Sequence, residues 1–396
     1  MKFNPLVSTI ILSIALGFIG PIYYLVDDSL YRMPSEYFIY SIIDIIITSV
    51  SVLFFLRYKI PVDRVKHYLL FLFDSKRFVF FVKFGLLVCI AIIASRFQEI
   101  SSFLTEGSRE ELVFDIGLSK SVSFAISFSV IVIALQLSGL DLSRTFKIIP
   151  LLVLVSGSVL QLSRSEILFV LFYSMVLFSL SHNYFFVTFR RFYISLILMM
   201  TIGYIGLIVN IFQGRAEDLF GAFQNSSLAF TSYRSAALYL GHHFSNIAYS
   251  FEYTFYPFFG FIYERMITIL FEIDVPLSTN NSDYFYKFIS FGSESHQVGN
   301  VFYPLNSFYY YQFGYLGILI KAAFCVLLIY ASYRFKFYFL FFYICYSILF
   351  VAAVKHPLLN ADSTYQALFF LVFDFIVRYL VAPAKPLKRI RPVIQS

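Results

Sequence analysis

The chain has 396 residues, of which 59% are hydrophobic and 13% charged, and a formal net charge of +7. A soluble domain carries about 25% charged and about 45–50% apolar residues, so this composition excludes a soluble globular protein. The apolar residues recur in separate runs of roughly 15–25 residues, the length that spans a ~30 Å hydrocarbon layer. The basic excess is accounted for by an anionic inner leaflet, and nucleic acid is not needed as a partner.

The first apolar run, 6–26, follows a single Lys2 and has no A-x-A cleavage site, so it reads as an uncleaved first span. Further spans are predicted at 36–56, 78–95, 119–139, 148–162, 166–181, 192–211, 305–330, 338–354 and 364–381. Cys89, Cys325 and Cys345 all fall inside these runs, which excludes a framework of extracytoplasmic disulfides, and no CxxC or Cys/His metal spacing occurs. Segments assigned to the inner side hold Lys2, Arg57, Lys59, Arg64, Lys66, Lys76, Arg77, Arg144, Lys147, Arg190, Arg191, Arg334, Lys336 and the tail bases Lys385, Lys388, Arg389 and Arg391. The acids in those segments are Asp63, Asp74 and Asp141. The positive-inside rule therefore puts both termini in the cytoplasm.

The fold class predicted is all-α: a polytopic transmembrane helix bundle of 10–12 spans, forming a single integral membrane domain over 1–396. Short outer turns exclude a β-barrel. One segment breaks the spacing: 212–304 is predicted as a large extracytoplasmic loop, with apolar, aromatic stretches at 233–239 and 251–270. Two readings of these stretches stand: interfacial or re-entrant helices, or one further hairpin of two spans. A second outer loop, 96–118, is rich in acids.

Candidate chemistry begins at Arg164, in Gln161-Leu162-Ser163-Arg164-Ser165-Glu166. The apolar runs on either side are each only about 15 residues, or about 22 Å of helix, so the arginine at their junction lies below the outer surface. It must then face a partner or water, unless it pairs with Glu166 or reaches the interface. Arg215 opens the large loop in Phe212-Gln213-Gly214-Arg215-Ala216-Glu217-Asp218, and Arg234 and Arg265 follow within it. Guanidinium groups bind phosphate oxygens in pairs and tolerate desolvation better than ammonium, so several around one outer cavity would suit a diphosphate. The alternative is that each meets a neighbouring acid, Arg215 with Glu217 or Asp218, and Arg265 with Glu264. His296, in Ser293-Glu294-Ser295-His296-Gln297-Val298-Gly299-Asn300, is a candidate base for a hydroxyl nucleophile, and Glu294 could orient it or replace it. His242 and His243 read as capping or surface residues. No HExxH, DxD or carboxylate cluster indicates a metal site. Asp44, Lys83, Lys321 and Asp374 fall within spans. Lys83 is expected to snorkel, and Lys321 and Asp374 are expected to pair with each other or with backbone.

These features resemble the Wzy-type O-antigen polymerases, or oligosaccharide repeat unit polymerases, which group with the O-antigen ligases as membrane glycosyltransferases. Ser163-Arg164 opening a span is similar to the family's Ser-Arg pair, and Gly214-Arg215 opens the large loop where the family has a second arginine. The stretch from His296 through Asn300 to Gly314 and Gly317 is similar to the family's His-Asn segment, aromatic run and glycine pair, with His and Asn four positions apart where the family's are often adjacent. The resemblance implies a GT-C-like membrane fold at the periplasmic face of the bacterial inner membrane, working without cofactor or metal. Donor and acceptor are implied to be undecaprenyl-diphosphate-linked oligosaccharides, and a chain-length regulator is an implied partner beside membrane lipid. Arg164, Arg215 and His296 are the implied catalytic residues. Arg164, Arg215, Arg234, Arg265, Glu294, Asn300 and Tyr309 are the implied contacts to diphosphate and glycan. An O-antigen ligase or other lipid-linked glycan transferase, and a non-enzymatic flippase, are the competing readings.

Overall fold

The computed structural model describes residues 5–96, 120–160, 165–181, 203–204, 206–208, 211, 216–243, 254–272, 289–293, 298–299, 303–358 and 361–381. These are almost entirely helical. Helix α1 spans Pro5–Val26 and α2 spans Ser35–Lys59, whose last turn carries Arg57 and Lys59 against the negative helix end. Helix α3, Val62–Phe73, lies inside the predicted inner segment between spans. It buries Val65, Leu69 and Leu72 at i, i+4, i+7 spacing and exposes Arg64, Lys66 and His67, so it is amphipathic where the neighbouring spans are apolar all round. Helix α4, Lys76–Ser95, starts at Ser75, whose hydroxyl accepts the Phe78 N–H at 3.3 Å. There follow α5 (Lys120–Leu137), α6 (Arg144–Leu160) and α7 (Ser165–Ser181).

Helix α5 is the centre of the bundle. Every residue from Ala125 to Leu135 is buried, and the helix packs against α4, α6 and α7. A helix apolar on all sides belongs inside a bundle, and glycine on the partners lets it approach. A Cβ on Gly85 of α4 would lie 2.2 Å from the Phe128 ring, and one on Gly157 of α6 would lie 2.6 Å from Ile126.

Within the predicted outer insertion, residues 219–243 form α8 (Leu219–His243), a helix of 25 residues. Its contacts climb in step with those of the first two helices: Arg234 with Leu16, Ser235 with Gly20, Tyr239 with Tyr31 and His242 with Tyr37. So α8 runs alongside α1 in the same direction. Two short elements, α9 (Tyr256–Phe259) and α10 (Phe261–Phe271), meet at Gly260, whose φ of +50° favours glycine. Strands β1 (Ile289–Ser290) and β2 (Val298–Gly299) pair antiparallel. The chain just after β1 docks on the α1–α2 turn: Tyr31 N–H donates to the Phe291 carbonyl at 3.0 Å and Ser293 N–H to the Ser29 carbonyl at 2.9 Å.

The predicted span at 305–330 is instead two helices, α11 (Leu305–Phe313) and α12 (Leu316–Arg334). Gly314 separates them with φ +58°, and its N–H closes on the Tyr310 carbonyl at 2.7 Å. The chain then passes so close that a Cβ on Gly317 would sit 2.3 Å from the Tyr309 carbonyl oxygen. Helix α13 (Tyr338–Tyr346) ends in a π-helical turn, Ser347–Val351, and α14 (Ala361–Ile376) in another, Val377–Val381. A π turn disturbs the usual pairing of carbonyls. The Leu349 carbonyl in the first of these accepts the Ser13 hydroxyl of α1. The predicted span at 192–211 falls mostly outside the described residues.

Among the described residues, α1, α2, α4, α12 and the α14 segment are long and apolar enough to cross a membrane. The chain is thus a multi-pass helical membrane protein. A large core runs through α1–α7 and α11–α14. A second cluster, containing Tyr24, Leu30, Tyr37, Ala236, Phe291 and Tyr311, sits where α1 ends and α2 begins.

Candidate functional site

That second cluster defines the candidate site. Tyr37 on α2 stacks on Tyr311 with ring centroids 6.0 Å apart and meets Tyr310 edge-on at 5.3 Å. Tyr40, one turn further, lies 4.6 Å from Tyr310 and 5.9 Å from Tyr315. Tyr31, in the α1–α2 turn, lies 6.0 Å from Tyr239 of α8. The Tyr311 hydroxyl donates to the His242 carbonyl at the end of α8, and His242 Nδ1 lies 3.2 Å from the same hydroxyl. Tyr311 thus caps the last turn of α8 at His242. Exposed tyrosines rim the cluster, Tyr315 at 51% and Tyr31 at 43%. Aromatic faces with polar edges suit binding of sugar rings.

Of the residues predicted to act, Arg164, Arg215, Glu294, His296 and Asn300 lie outside the described residues. Strands β1 and β2 flank Glu294 and His296 in sequence, and Phe291 and Ser293, which follow β1, bond the backbone of the α1–α2 turn.

Arg234 is buried on α8. Its Nη1 donates to the Leu16 carbonyl at 2.9 Å and its guanidinium lies 4.5 Å from the Phe230 ring centroid. Among the described residues its Nε has no hydrogen-bond partner and no carboxylate forms an ion pair with it. Arg265 lies over the Phe261 ring of its own helix at 5.0 Å. The two arginines are engaged on separate helices, α8 and α10.

Tyr309 corrects the sequence reading. It was expected as a glycan contact, yet it is fully buried, packed edge-on against Phe258 at 5.4 Å. The break at Gly314 folds α11 onto α12 and turns this position inward, leaving Tyr315 as the exposed tyrosine after the break.

The intramembrane charges also pair differently from the Lys321–Asp374 contact entertained above. Lys321 of α12 forms a buried ion pair with Asp44 of α2, and Asp44 accepts a second hydrogen bond from Thr48 at 3.2 Å. Helices α2 and α12 run side by side from the same end, with Tyr315 near Glu36 and Tyr330 near Phe55, so residues 44 and 321 meet. Asn306 extends the polar layer by donating to the Ser41 hydroxyl at 3.0 Å. Asp374 takes the backbone alternative: its carboxylate accepts the Phe339 and Leu340 N–H groups at 3.1 and 2.7 Å, capping the start of α13. Lys83 lies 5.4 Å from the Phe146 ring centroid.

His356 is a residue the sequence reading did not single out. In the turn between α13 and α14, its Nε2 donates to the Pro257 carbonyl at 3.0 Å and its Nδ1 accepts the Leu358 N–H at 3.0 Å. Its own N–H reaches the Tyr303 carbonyl at 2.9 Å and its ring meets Phe308 edge-on at 5.1 Å. One imidazole thus ties the α9–α10 corner to the start of α11. Burial pushes its pKa from 6.5 down to about 4. Among the described residues no group of His, Cys, Asp or Glu is placed to hold a metal ion. Comparison with family models, with curated proteins and with solved structures returns no match.

Two predictions follow from these contacts. Removing one partner of a buried ion pair leaves a charge unpaired and costs about 3–5 kcal/mol, whereas replacing both with apolar residues is often neutral. Asp44→Asn should therefore lower the thermal midpoint of the detergent-solubilised protein sharply, and Asp44→Leu with Lys321→Met should recover most of it. Equal loss in both variants would contradict the assignment. For His356, the unfolded chain binds the extra proton first, so its contribution to stability is intact above pH 6.5 and is lost as pH falls toward about 4. His356→Gln should have a lower midpoint at pH 7.5 but a shallower decline over that window; parallel declines would count against it.

Proposed function

We propose that this protein is a Wzy-type polymerase that joins polyprenyl-diphosphate-linked oligosaccharide repeat units at the periplasmic face of the bacterial inner membrane. The observation that carries the reading is a convergence at one bundle end. The hairpin flanking His296 docks on the α1–α2 turn, beside the tyrosine cluster built by α2, α8 and α11. Ser163-Arg164, Gly214-Arg215 and the His296-to-Gly317 stretch supply the motif-level support.

In this mechanism the acceptor sugar hydroxyl attacks the anomeric carbon of the growing chain. The new glycosidic C–O bond forms as the bond to the diphosphate breaks, and the lipid diphosphate leaves with the bonding electrons. Arg164 and Arg215 hold the diphosphate and offset the charge developing on it. His296 takes the proton from the attacking hydroxyl. Arg234, buried with no acid paired to it among the described residues, is a further cation for an anionic substrate. The exposed tyrosines stack on the glycan.

A lipid-linked glycan flippase is the second reading, favoured by the buried Asp44–Lys321 pair, since charges inside membrane spans often line transport paths. Lipopolysaccharide banding from a deletion strain separates the two. Polymerase loss leaves core plus a single repeat unit, and Arg164→Ala or His296→Ala, expressed at normal levels, should fail to restore the ladder. Deletion that leaves no repeat unit on the core points to a flippase or ligase, and an untouched ladder removes the polymerase reading.

A further inference from the structure

At the opposite end of α2 and α12 from the tyrosine cluster, three cations gather around the turn from α12 to α13. Arg64 of α3 faces the Tyr333 and Tyr338 hydroxyls. Arg378, in the π turn that ends α14, donates one N–H to the Phe335 carbonyl at 2.7 Å and faces Tyr68 and Tyr338. Lys336 occupies the turn itself at φ +62°, a left-handed position where glycine is the usual residue. Between them the Tyr68 ring lies 4.6 Å from Tyr338, and the Tyr68 hydroxyl is buried with no hydrogen-bond partner among the described residues. The carboxylate facing this group, Asp374, spends both oxygens on the Phe339 and Leu340 N–H groups. The cluster therefore has spare N–H donors and an excess of positive charge.

We propose that this cluster binds the phosphate of an anionic lipid headgroup. Guanidinium groups match phosphate oxygens. The choice of a lipid over a soluble anion rests on what borders the cations. Phe335 beside Lys336, and Tyr379 and Leu380 beside Arg378, are exposed at 63%, 56% and 72%. Acyl chains would cover these side chains while the headgroup phosphate meets the cations. The site stands apart from the tyrosine cluster and does not depend on the proposed reaction.

The test uses the full-length protein in neutral detergent, with phosphatidylglycerol, phosphatidylcholine or inorganic phosphate added at constant ionic strength. Thermal midpoint and native mass spectrometry are the readouts. Phosphatidylglycerol should raise the midpoint and remain bound where phosphatidylcholine does neither. Arg64→Gln should weaken that binding roughly tenfold, the effect of losing a charge-assisted contact. Lys336→Gln removes only an exposed charge in the turn, so it should fold normally and still bind phosphatidylglycerol several-fold more weakly. Equal response to both lipids, or undiminished phosphatidylglycerol binding in both variants, overturns the site. Protection by millimolar inorganic phosphate that matches phosphatidylglycerol overturns the lipid assignment in favour of a soluble anion.

Discussion

A charge inside a bilayer must be answered, and the pairing of Lys321 with Asp44 is the answer on which the candidate site depends. In a hydrocarbon surround, neither group is tolerated alone. Their contact fixes α2 against α12 in one register, because a slip by one turn would separate the charges. That register brings Tyr40 over Tyr310 and puts Asn306 within reach of Ser41. It also places Gly317 against the Tyr309 carbonyl, a fit that only a residue without Cβ allows. The break at Gly314 folds α11 into this interface, so Tyr309 turns inward and Tyr315 is left exposed.

The same end is tied down from a second direction by His356. Its two ring nitrogens hold Pro257 and Leu358, while its main chain holds Tyr303. Phe261 N–H also reaches the Leu358 carbonyl at 2.8 Å, and Leu305 N–H reaches Ala352 at 2.9 Å. The α9–α10 corner and the start of α11 are thus fastened to the turn between α13 and α14. A rigid floor of this kind is what a binding surface of aromatic side chains needs, since stacking loses its value when each ring must be ordered on binding.

The bundle was legible from the apolar runs, because a ~30 Å layer imposes a length that hydropathy reports directly. Interior detail was less so. The run from Phe308 to Tyr330 is apolar on both sides of Gly314, so nothing in its periodicity marks the break. Helix α3 was hidden because Arg64, Lys66 and His67 gave it the composition of a loop, although Val65, Leu69 and Leu72 keep helical spacing. The partner of Lys321 depends on which helices are neighbours, which a sequence pattern does not encode, whereas the backbone role of Asp374 was among the expectations. His356 had no local pattern to mark it; its importance lies wholly in residues far away in the chain. Arg234 was visible as a cation, but its burial against the Leu16 carbonyl depends on α8 running along α1.

The account of the site turns on the hairpin beside His296 being seated on the α1–α2 turn. The direct test is a cysteine pair at Ser29 and Ser293, where the Ser293 N–H meets the Ser29 carbonyl at 2.9 Å; the native Cys89, Cys325 and Cys345 are all buried. Ser29→Cys with Ser293→Cys should cross-link within one chain under mild oxidation in native membranes, while Ser29→Cys paired with a cysteine at exposed Ser95 should not. Failure of the first pair to cross-link, with both thiols shown to be reactive, would separate the hairpin from the tyrosine cluster and contradict the proposed site.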